Sequence, residues 1–537
     1  MATPRVTEPH DAASSAPPGA PVVLVTLILV ATVANLNLAV ANVALPDIGR
    51  AFDASQTALN LVAVGFSLGL AASVLYLGAI GDRYGRKLLL VVGVVLSVPA
   101  SALAAWAPSV EMLAGARLLG GLAAGMAYPT TLALITVLWR GPSRTKAIAL
   151  WSAVGGAMAA FGPLVAGFLL GSFWWGSVFV VTVPLAVLAL VLALTRIPAH
   201  VSETTEAVDH TGGVLSVLAI ATVVLAINFA PVPGGGTLAL ALGAAGAVLL
   251  VGFVLRQRAA PNPLYDLHVA ARPTFWVAAV GGIIVFGSLM GAMFIGQQFL
   301  QNVLGYSSVA AGLSILPGAV MMVLVAPRSA RLVESIGSRT TLLFGYVASL
   351  AGFLVMLVLW GEGAAAWTVW LAFALIGAGV GLAGTPASHS LTSSVPVRRA
   401  GMASGTADLQ RDLGGAIMQS ILGALLTAGY ATAFSRAIAA SPEATSVSDD
   451  VRQELLKSFS SASATAERYP SHSSEIVEAA REAFVTGQRW AYLAGVIAIV
   501  AGMLVVFRWY PRRDEERRML ASYAEGQGGG RSPSSVS

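Results

Sequence analysis

The sequence predicts an all-α integral membrane protein that crosses the bilayer fourteen times. Hydrophobic residues make up 56% of its 537 residues and charged residues only 11%, and the mean hydropathy is +0.78. A soluble domain usually has roughly a quarter charged residues, so a soluble chain of this composition would lack the polar side chains to cover its surface. The apolar residues also fall into runs of about twenty, the length that a membrane-spanning helix needs.

The charged and reactive residues exclude several other classes of protein. The sequence pI is about 9.6, but the basic residues lie in short loops between apolar runs, which is a membrane-topology signal, and no nucleic-acid partner is expected. The chain has no cysteine, which excludes disulfides, thiolate metal sites and cysteine nucleophiles. Because no HExxH, Gly-x-Ser-x-Gly or phosphate-loop motif occurs, we expect neither an enzyme nor an ATP-driven pump, and no metal or organic cofactor.

The apolar runs give the approximate spans in order. Residues 1–20 are polar and rich in Pro, Ala and Ser, and we expect them to form a disordered cytoplasmic N-terminus without a cleavable signal peptide. The pair at 213–256 is the least distinct, because only Pro231–Gly236 separates its helices. The fourteen predicted spans are 21–45, 57–80, 88–106, 111–138, 147–170, 176–196, 213–231, 237–256, 275–300, 307–330, 340–360, 366–388, 401–431 and 486–509.

The basic residues test this count. If the N-terminus is cytoplasmic, fourteen spans place the loop arginines and lysines on the cytoplasmic side, and Arg50 is the one basic residue in the short outer loops. An odd number of spans would break this asymmetry, so the tail at 511–537 is also expected in the cytoplasm. The cytoplasmic basic residues are Arg83, Arg86, Lys87, Arg140, Arg144, Lys146, Arg256, Arg258, Arg272, Arg328, Arg331, Arg339, Arg398, Arg399, Arg512, Arg513, Arg517 and Arg518.

One outer segment, residues 432–485, is long and carries many acidic residues. The stretches 451–459 and 473–484 have apolar residues at helical spacing, which predicts an amphipathic helical excursion outside the membrane. A solvated, disordered loop is the alternative.

An internal repeat links two loops. The loop Gly78–Lys87 follows the second predicted span, and Ala330–Arg339 follows the tenth. Aligned on their glycines, Glu334 falls at the position of Asp82, and Arg339 falls at that of Lys87. Two homologous halves are typical of transporters, so the halves are predicted to have six spans each, with the pair at 213–256 inserted between them.

At these loops the chain resembles the major facilitator superfamily, and more narrowly its fourteen-span drug:proton antiporter family, as in bacterial quaternary-ammonium and methyl-viologen efflux proteins. The resemblance covers nearly all of residues 20–510. Besides the Gly78–Lys87 loop, four shorter motifs match. They are Arg117–Gly121, the buried-arginine motif; Gly155, Gly162, Pro163 and Gly167, from the antiporter motif; Asn42–Pro46, at the end of the first span; and Pro261–Leu267, before the second half.

Several positions depart from the family pattern. The family usually has an acidic residue in the first span where this chain has Asn37, a threonine at Ala39 and an arginine at Gly176. Gly120 stands in place of the usual glutamine, and Ala166 in place of a glycine. The missing acid matters most, because in relatives it is tied to proton coupling or cation binding.

The resemblance implies a major facilitator fold of two six-helix bundles, 21–196 and 273–510, joined by a linker, 197–272, that carries the two extra helices. It implies a proton-coupled exporter of small amphipathic molecules, of the multidrug efflux type, that works by alternating access in the bacterial inner membrane. The alternative is an exporter or uncoupled carrier of a lipid or endogenous metabolite. The expected partners are the lipid bilayer, a small-molecule substrate and protons, and a monomer is expected.

The resemblance also assigns roles to two motifs. The repeated loops are gates, in which glycines allow a tight turn and Asp82 takes the place of an acid that faces a helix N-terminus, where negative charge is favourable. The small residues and Pro163 of the antiporter motif permit close helix contact and bending. The gating residues are Gly78, Asp82, Arg83, Gly85, Arg86, Lys87, Glu334 and Gly337.

Charged residues inside apolar spans are candidates for proton coupling, because they are costly in lipid unless they are paired or hydrated. Arg117 is one candidate, with snorkelling to the outer interface as the alternative. Asp408, Arg411 and Asp412 form another group, since residues three and four apart meet on a helix. If this helix enters the bilayer near Gly401, Asp412 is roughly 16 Å deep. If instead residues 413–434 form the span, the group lies at the cytoplasmic rim.

Polar and adaptable apolar side chains within the spans are candidates for a substrate cavity. Amides are costly in lipid without a partner, and methionines and aromatic rings can form a pliable wall. Ordinary helix packing is the competing explanation for each of them. The candidates are Asn37, Asn42, Phe66, Trp151, Met293, Phe294, Gln297, Gln298 and Met321.

Overall fold

The computed structural model describes residues 16–139, 142–198, 207–232, 234–395, 400–441 and 447–528, and within these ranges the regular elements are helices without any strand. A five-residue π-helical segment, Phe299–Val303, follows the eleventh helix. The α-helices in chain order are α1 (Ala20–Phe52), α2 (Gln56–Tyr84), α3 (Arg86–Ala105), α4 (Val110–Leu138), α5 (Pro142–Ser172), α6 (Ser177–Val180), α7 (Thr182–Arg196), α8 (His210–Phe229), α9 (Gly236–Ala259), α10 (Leu267–Ala270), α11 (Pro273–Gln298), α12 (Ser308–Leu313), α13 (Leu316–Ile336), α14 (Ser338–Leu359), α15 (Ala366–Ser393), α16 (Ala400–Ala440), α17 (Asp449–Lys457), α18 (Phe459–Arg468), α19 (Ser473–Trp509) and α20 (Arg513–Gly528).

The predicted all-α membrane fold is confirmed. Among the described residues, thirteen helical stretches are long and apolar enough to cross a bilayer. The fifth predicted span corresponds to α5, of which Phe161–Ser172 counts as a shorter apolar helix. The total of fourteen spans and the side on which the termini lie remain predictions.

Two glycines make the turns of the repeated loops. Gly85 joins α2 to α3 with φ 119°, and Gly337 joins α13 to α14 with φ 88°. Positive φ values are accessible to glycine at little cost because it has no Cβ atom. Both halves therefore reverse direction at the same point of the repeat, and each turn is a single residue long.

The two ends of the bundle carry different connections between helices. The end that carries the Gly78–Lys87 and Ala330–Arg339 loops is called the loop end. The opposite end carries the α1–α2 connection together with α17 and α18, and is called the cap end. Positive-inside reasoning predicts that the loop end is cytoplasmic.

The inserted pair α8 and α9 lies beside the contact between the halves. Val224 of α8 packs against Val64 and Leu68 of α2 and against Ala416 of α16. Asn228 Nδ2 of α8 donates a hydrogen bond to Ser420 Oγ of α16 at 2.8 Å. By contrast, the apolar side chains of α9 are largely exposed, with Leu240 77% exposed, as expected of a helix that faces lipid.

The base of the insert is fixed by one carboxylate. Asp209 begins α8 and accepts hydrogen bonds from Gly212 N at 3.1 Å, Arg256 Nε at 2.9 Å and Gln257 Nε2 at 3.0 Å. Burial raises the pKa of Asp209, but these donors outweigh burial and hold its pKa below the ordinary value. Gln257 Oε1 in turn accepts from Tyr265 N at 3.0 Å, so Asp209 ties both inserted helices to the linker that leads into the second half.

The long outer segment is largely helical, as its apolar spacing predicts. Helix α16 runs on to Ala440 and α19 begins at Ser473, so residues 441–472 connect these two helices, while the extent of 432–485 outside the membrane remains a prediction. The connection contains α17 and α18, where the apolar spacing predicts helix, while residues 442–446 lie outside the described ranges. Leu455 and Ala462 are buried, so this connection packs on the bundle.

Asp209→Asn should lower the stability of the protein at neutral pH by about 1–3 kcal/mol, because buried hydrogen-bond donors lose a charged acceptor. The measurement is thermal unfolding in detergent. Since the pKa of Asp209 is lower in the folded state, its contribution is complete above the unfolded value of about 3.9 and is lost as the pH falls through the lowered folded value.

The control is Asp450→Asn, because Asp450 is exposed at the start of α17. This variant should unfold at the same temperature as the unmodified protein. If the stability difference between Asp209→Asn and the unmodified protein stayed constant down to about pH 3, Asp209 would not act as an ionised acceptor.

Candidate functional site

The first repeated loop is held by its own ion pair. Arg86 donates to Asp82 Oδ1 from Nε at 2.9 Å, and its Nη2 lies 2.7 Å from the same oxygen. Asp82 therefore faces an arginine of its own loop. The predicted cytoplasmic residues Arg398 and Arg399, before α16, lie outside the described ranges. Gly78 has open space around it, and Arg83 is half-buried at the end of α2.

The two basic residues that the repeat aligns make equivalent contacts. Lys87 Nζ donates to the carbonyls of Leu194 and Ile197, at 3.1 and 2.6 Å, where α7 ends. Arg339 donates to the carbonyl of Phe507, near the end of α19, and its guanidinium lies 4.9 Å from the centre of the Phe507 ring. A cation is favourable at a helix C-terminus. Each loop thus holds the last helix of its own half.

Arg117 is directed into the first bundle. Its side chain is buried, and it donates from Nη1 to the Asn37 carbonyl at 2.6 Å and from Nε to the Val62 carbonyl at 3.3 Å. The guanidinium also lies 4.9 Å from the ring centre of Phe66 and 5.6 Å from that of Phe179. Neutral carbonyls and ring faces therefore solvate this charge.

Asn37 lies where the family has its first-span acid. Its Nδ2 donates to the Val33 carbonyl at 3.1 Å, so the side chain bonds to its own helix. The backbone carbonyl of Asn37 accepts from Arg117. A narrow cleft lies beside it within the first half. Its lining includes Asn37, Phe66, Gly93, Ser97 and Ser101.

A charged cluster lies where the halves meet. Arg411 of α16 has Nη2 3.6 Å from Asp408 Oδ1 and Nε 3.7 Å from Asp412 Oδ1. Asp408 is 7% exposed and Asp412 2%, and Asp412 Oδ2 has no partner among the described residues. One guanidinium thus stands between two buried carboxylates.

The first half contributes aromatic rings to this cluster. The Arg411 guanidinium lies 4.8 Å from the ring centre of Tyr128 on α4. Tyr128 packs against Trp151 of α5 with 5.6 Å between ring centres, and Trp151 Nε1 donates to Thr131 Oγ1 at 3.0 Å. The cluster therefore joins a helix of one half to a helix of the other.

The predicted cavity residues lie at several places in the bundle. Asn37 and Phe66 line the cleft of the first half, and Trp151 lies beside Tyr128. Met321 is half-buried on α13. The remaining candidates are buried on α1 and α11, towards the cap end; these are Asn42, Met293, Phe294, Gln297 and Gln298.

Amide side chains join the halves towards the cap end. Gln56 Nε2 of α2 donates to Gln298 Oε1 of α11 at 3.1 Å. Asn60 Nδ2 of α2 donates to Thr427 Oγ1 of α16 at 3.3 Å. Gln297 Nε2 bonds to the Ala311 carbonyl at 2.9 Å within the second half. Buried amides need such partners. The Gln56–Gln298 and Asn60–Thr427 hydrogen bonds therefore close the contact between the halves at this end.

The antiporter motif lies in the same contact. A Cβ atom on Gly162 would lie 2.5 Å from Ala39 Cβ of α1, and one on Gly167 would lie 2.5 Å from the Ser308 carbonyl of α12. Glycine is therefore required where α5 packs against α1 of its own half and against α12 of the second half. Pro163 is buried inside α5, and Gly155 belongs to the same helix, in a part whose surroundings are not described.

An ion pair closes the cap end. Lys457 Nζ of α17 lies 2.8 Å from Asp53 Oδ2 at the end of α1 and 3.6 Å from Glu454 Oε2. Burial raises the pKa of Asp53, but the hydrogen bond and the charge of Lys457 help to outweigh it and hold the pKa below its usual value. The carboxylate is thus ionised at neutral pH, and a segment of the second half is fastened to the first.

The sequence reasoning did not single out Tyr128, Asp53 or Lys457 as site residues. Tyr128 was detectable as a polar tip inside an apolar helix, next to Pro129 and about three turns after Arg117. Nothing in the spacing pairs Asp53 with Lys457, which are 404 residues apart.

Two curated efflux proteins are similar to the chain over most of its length. It is 32% identical over 486 residues to the multidrug efflux pump LfrA of Mycolicibacterium smegmatis, covering 90% of this chain and 93% of LfrA. It is 30% identical over 491 residues to the multidrug resistance protein Stp of Mycobacterium tuberculosis, covering 89% of each chain.

Solved transporters have the same fold. A bacterial homologue of the human lysosomal transporter Spinster matches with a TM-score of 0.58 at 18% identity, covering 93% of this chain and 97% of that one. A D-xylose–proton symporter matches with a TM-score of 0.57 at 15% identity, covering 92% and 98%.

The family model of the Major Facilitator Superfamily matches residues 27–419. The match spans both repeated loops, Arg117 and the Asp408–Asp412 cluster. Members of this family are not enzymes but multi-pass membrane transporters, and the bacterial efflux relatives place the chain in the inner membrane. The protein is therefore a membrane transporter of the Major Facilitator Superfamily.

Proposed function

We propose that the protein exports small amphipathic molecules, of the kind handled by multidrug efflux pumps, in exchange for protons by alternating access. The observation that carries this proposal is the buried cluster of Arg411 with Asp408 and Asp412, which faces Tyr128 across the contact between the halves. The gating motifs have a role only in a transporter whose halves move.

The charges of the cluster support proton exchange. Arg411 can balance one carboxylate, and the second carboxylate then has no counter-charge among its described neighbours. An uncompensated charge in an apolar bundle is costly. A proton on Asp408 or Asp412 restores neutrality, so the occupancy of the cluster by a proton is coupled to any movement that opens it to water.

The position of the cluster supports coupling to the substrate. It lies between α4 and α16, one helix from each half, and helices of the two halves move relative to each other in alternating access. If a proton and a substrate favour opposite conformations, each reduces the affinity for the other by the same factor. A proton gradient then drives the substrate outward.

The substrate class rests on the relatives. LfrA and Stp are described as multidrug efflux or resistance proteins, and a third relative, 28% identical over 504 residues, is the methyl viologen resistance protein SmvA of Salmonella typhimurium.

One observation favours a second candidate, an uncoupled carrier of a lipid or endogenous metabolite. Asn37 cannot ionise, and its amide bonds to its own helix. Arg117 therefore has a backbone carbonyl where the family pattern offers an acid. The two candidates differ in whether an uncoupler stops efflux.

Asp408→Asn and Asp412→Asn should test the coupling. In sealed vesicles, a panel of lipophilic cations, neutral drugs and anions identifies the substrate and shows whether an uncoupler abolishes its efflux. We expect at least one of the two variants to lose proton-driven efflux by roughly tenfold or more, equivalent to about 1.4 kcal/mol. Counterflow of substrate without a gradient should survive, because the helices still pack.

Glu362→Gln is the matched control, because Glu362 is exposed in the connection between α14 and α15. It should export like the unmodified protein. Normal proton-driven efflux by both aspartate variants would refute the role of the cluster. Efflux that no uncoupler slows would favour the uncoupled carrier.

A cross-link at the cap end should test alternating access. The chain has no cysteine, so Asp53→Cys with Lys457→Cys gives a single reactive pair, one thiol on each half. A short thiol-specific cross-linker should trap the conformation described here and stop efflux, and a cleavable linker should restore it on reduction.

Glu454→Cys with Ser461→Cys is the control pair. These side chains are hydrogen-bonded at 2.7 Å, but both belong to the second half, so cross-linking them should leave efflux nearly unchanged. If the Asp53–Lys457 cross-link formed completely and efflux continued at the full rate, the halves would not need to separate at the cap end and alternating access would be wrong.

A further inference from the structure

The C-terminal helix α20 is docked at the loop end of the second half. Its buried side comprises Glu516 with the half-buried Arg513, Met519, Leu520 and Tyr523. Asp514, Glu515, Arg517 and Arg518 on the other side are exposed. This alternation at helical spacing indicates a packed amphipathic helix.

Glu516 is the centre of the docking contact. It is 6% exposed, and its Oε2 accepts from Ser338 N, the first residue of α14, at 3.3 Å. Its Oε1 accepts from Tyr510 Oη at 3.0 Å, and Tyr510 Oη lies 2.5 Å from Ser390 Oγ of α15. A buried carboxylate needs partners of this kind, and the N-terminus of α14 favours its charge.

Two further contacts extend the docking along α20. Arg513 Nη2 donates to the Glu334 carbonyl at 2.7 Å, within the second repeated loop. Near the other end of α20, the Arg272 guanidinium lies 4.1 Å from the ring centre of Tyr523. Arg272 begins α11 and donates to the Ser394 carbonyl at the end of α15. Helix α20 therefore contacts the loop-end termini of α13 and α14, Arg272 before α11 and Tyr510 after α19.

The repeat explains why the second loop needs this contribution. In the first loop, Asp82 pairs with Arg86. Aligned on Gly85 and Gly337, the position of Arg86 is Ser338, which cannot form an ion pair, and Glu334 is exposed. An acid from α20 reaches the turn instead.

We propose that α20 is a working part of the second gating loop, and that Glu516 is the positioning residue that docks it. Docking links α11, α13, α14 and α19 at the loop end, so that they move together. Its loss should slow the exchange between conformations without altering the first half. The effect on transport rate rests on the proposed function, whereas the docking itself does not.

The test uses the full chain with one introduced cysteine. Ser522→Cys places a spin label on the exposed side of α20, next to Tyr523, in a protein that has no other thiol. In the parent, the label should show the restricted motion of a docked helix. Adding Glu516→Ala should give a mobile label, because losing hydrogen bonds to a charged group shifts the docking equilibrium about tenfold or more. The maximal efflux rate should fall in proportion to the docked fraction. The KM should stay within about twofold.

Asp514→Asn is the control, because Asp514 is exposed on the same helix, and it should change neither readout. Glu516→Gln, which keeps an acceptor oxygen, should fall between the parent and Glu516→Ala in both. A label that stays restricted in Glu516→Ala would overturn the docking role. A mobile label with an unchanged maximal rate would overturn the gating role. Absence of transport by the parent would count against the proposed function alone, since label motion needs no substrate.

Discussion

The cost of placing charge inside an apolar bundle is the constraint on which the rest of this structure depends. Asp408 and Asp412 are buried inside the bundle, so their charges must be balanced by Arg411 or by a proton. The three side chains lie between α4 and α16, where the two halves touch. The proposed proton coupling rests on this position, because a movement of the halves would change the surroundings of the cluster.

The same constraint governs the contacts at the two ends. Towards the cap end, buried amides pair across the halves, and Lys457 holds Asp53. At the loop end, Lys87 and Arg339 each hold the last helix of their own half. Polar contacts between the halves can open during transport, while those within a half keep it rigid. The proposed alternating access requires both kinds of contact, since the halves must separate while each stays intact.

Arg117 is solvated by neutral groups. Its guanidinium contacts the carbonyls of Asn37 and Val62 and the faces of Phe66 and Phe179. Carbonyl dipoles reduce the cost of the charge but carry no proton. The proposed proton exchange is therefore assigned to the acids of the α16 cluster.

The sequence by itself determined the all-α membrane fold, the two repeated loops and the helix that carries the α16 cluster, because apolar length, glycine positions and i, i+4 spacing are local properties. Only the tertiary structure decided that Tyr128 faces Arg411, that Asp53 meets Lys457, and that Glu516 accepts from Ser338 N. These partners are far apart in the chain and lie on different helices. Helical periodicity fixes which side of a helix a residue occupies, but which other helix faces that side depends on the packing of the whole bundle.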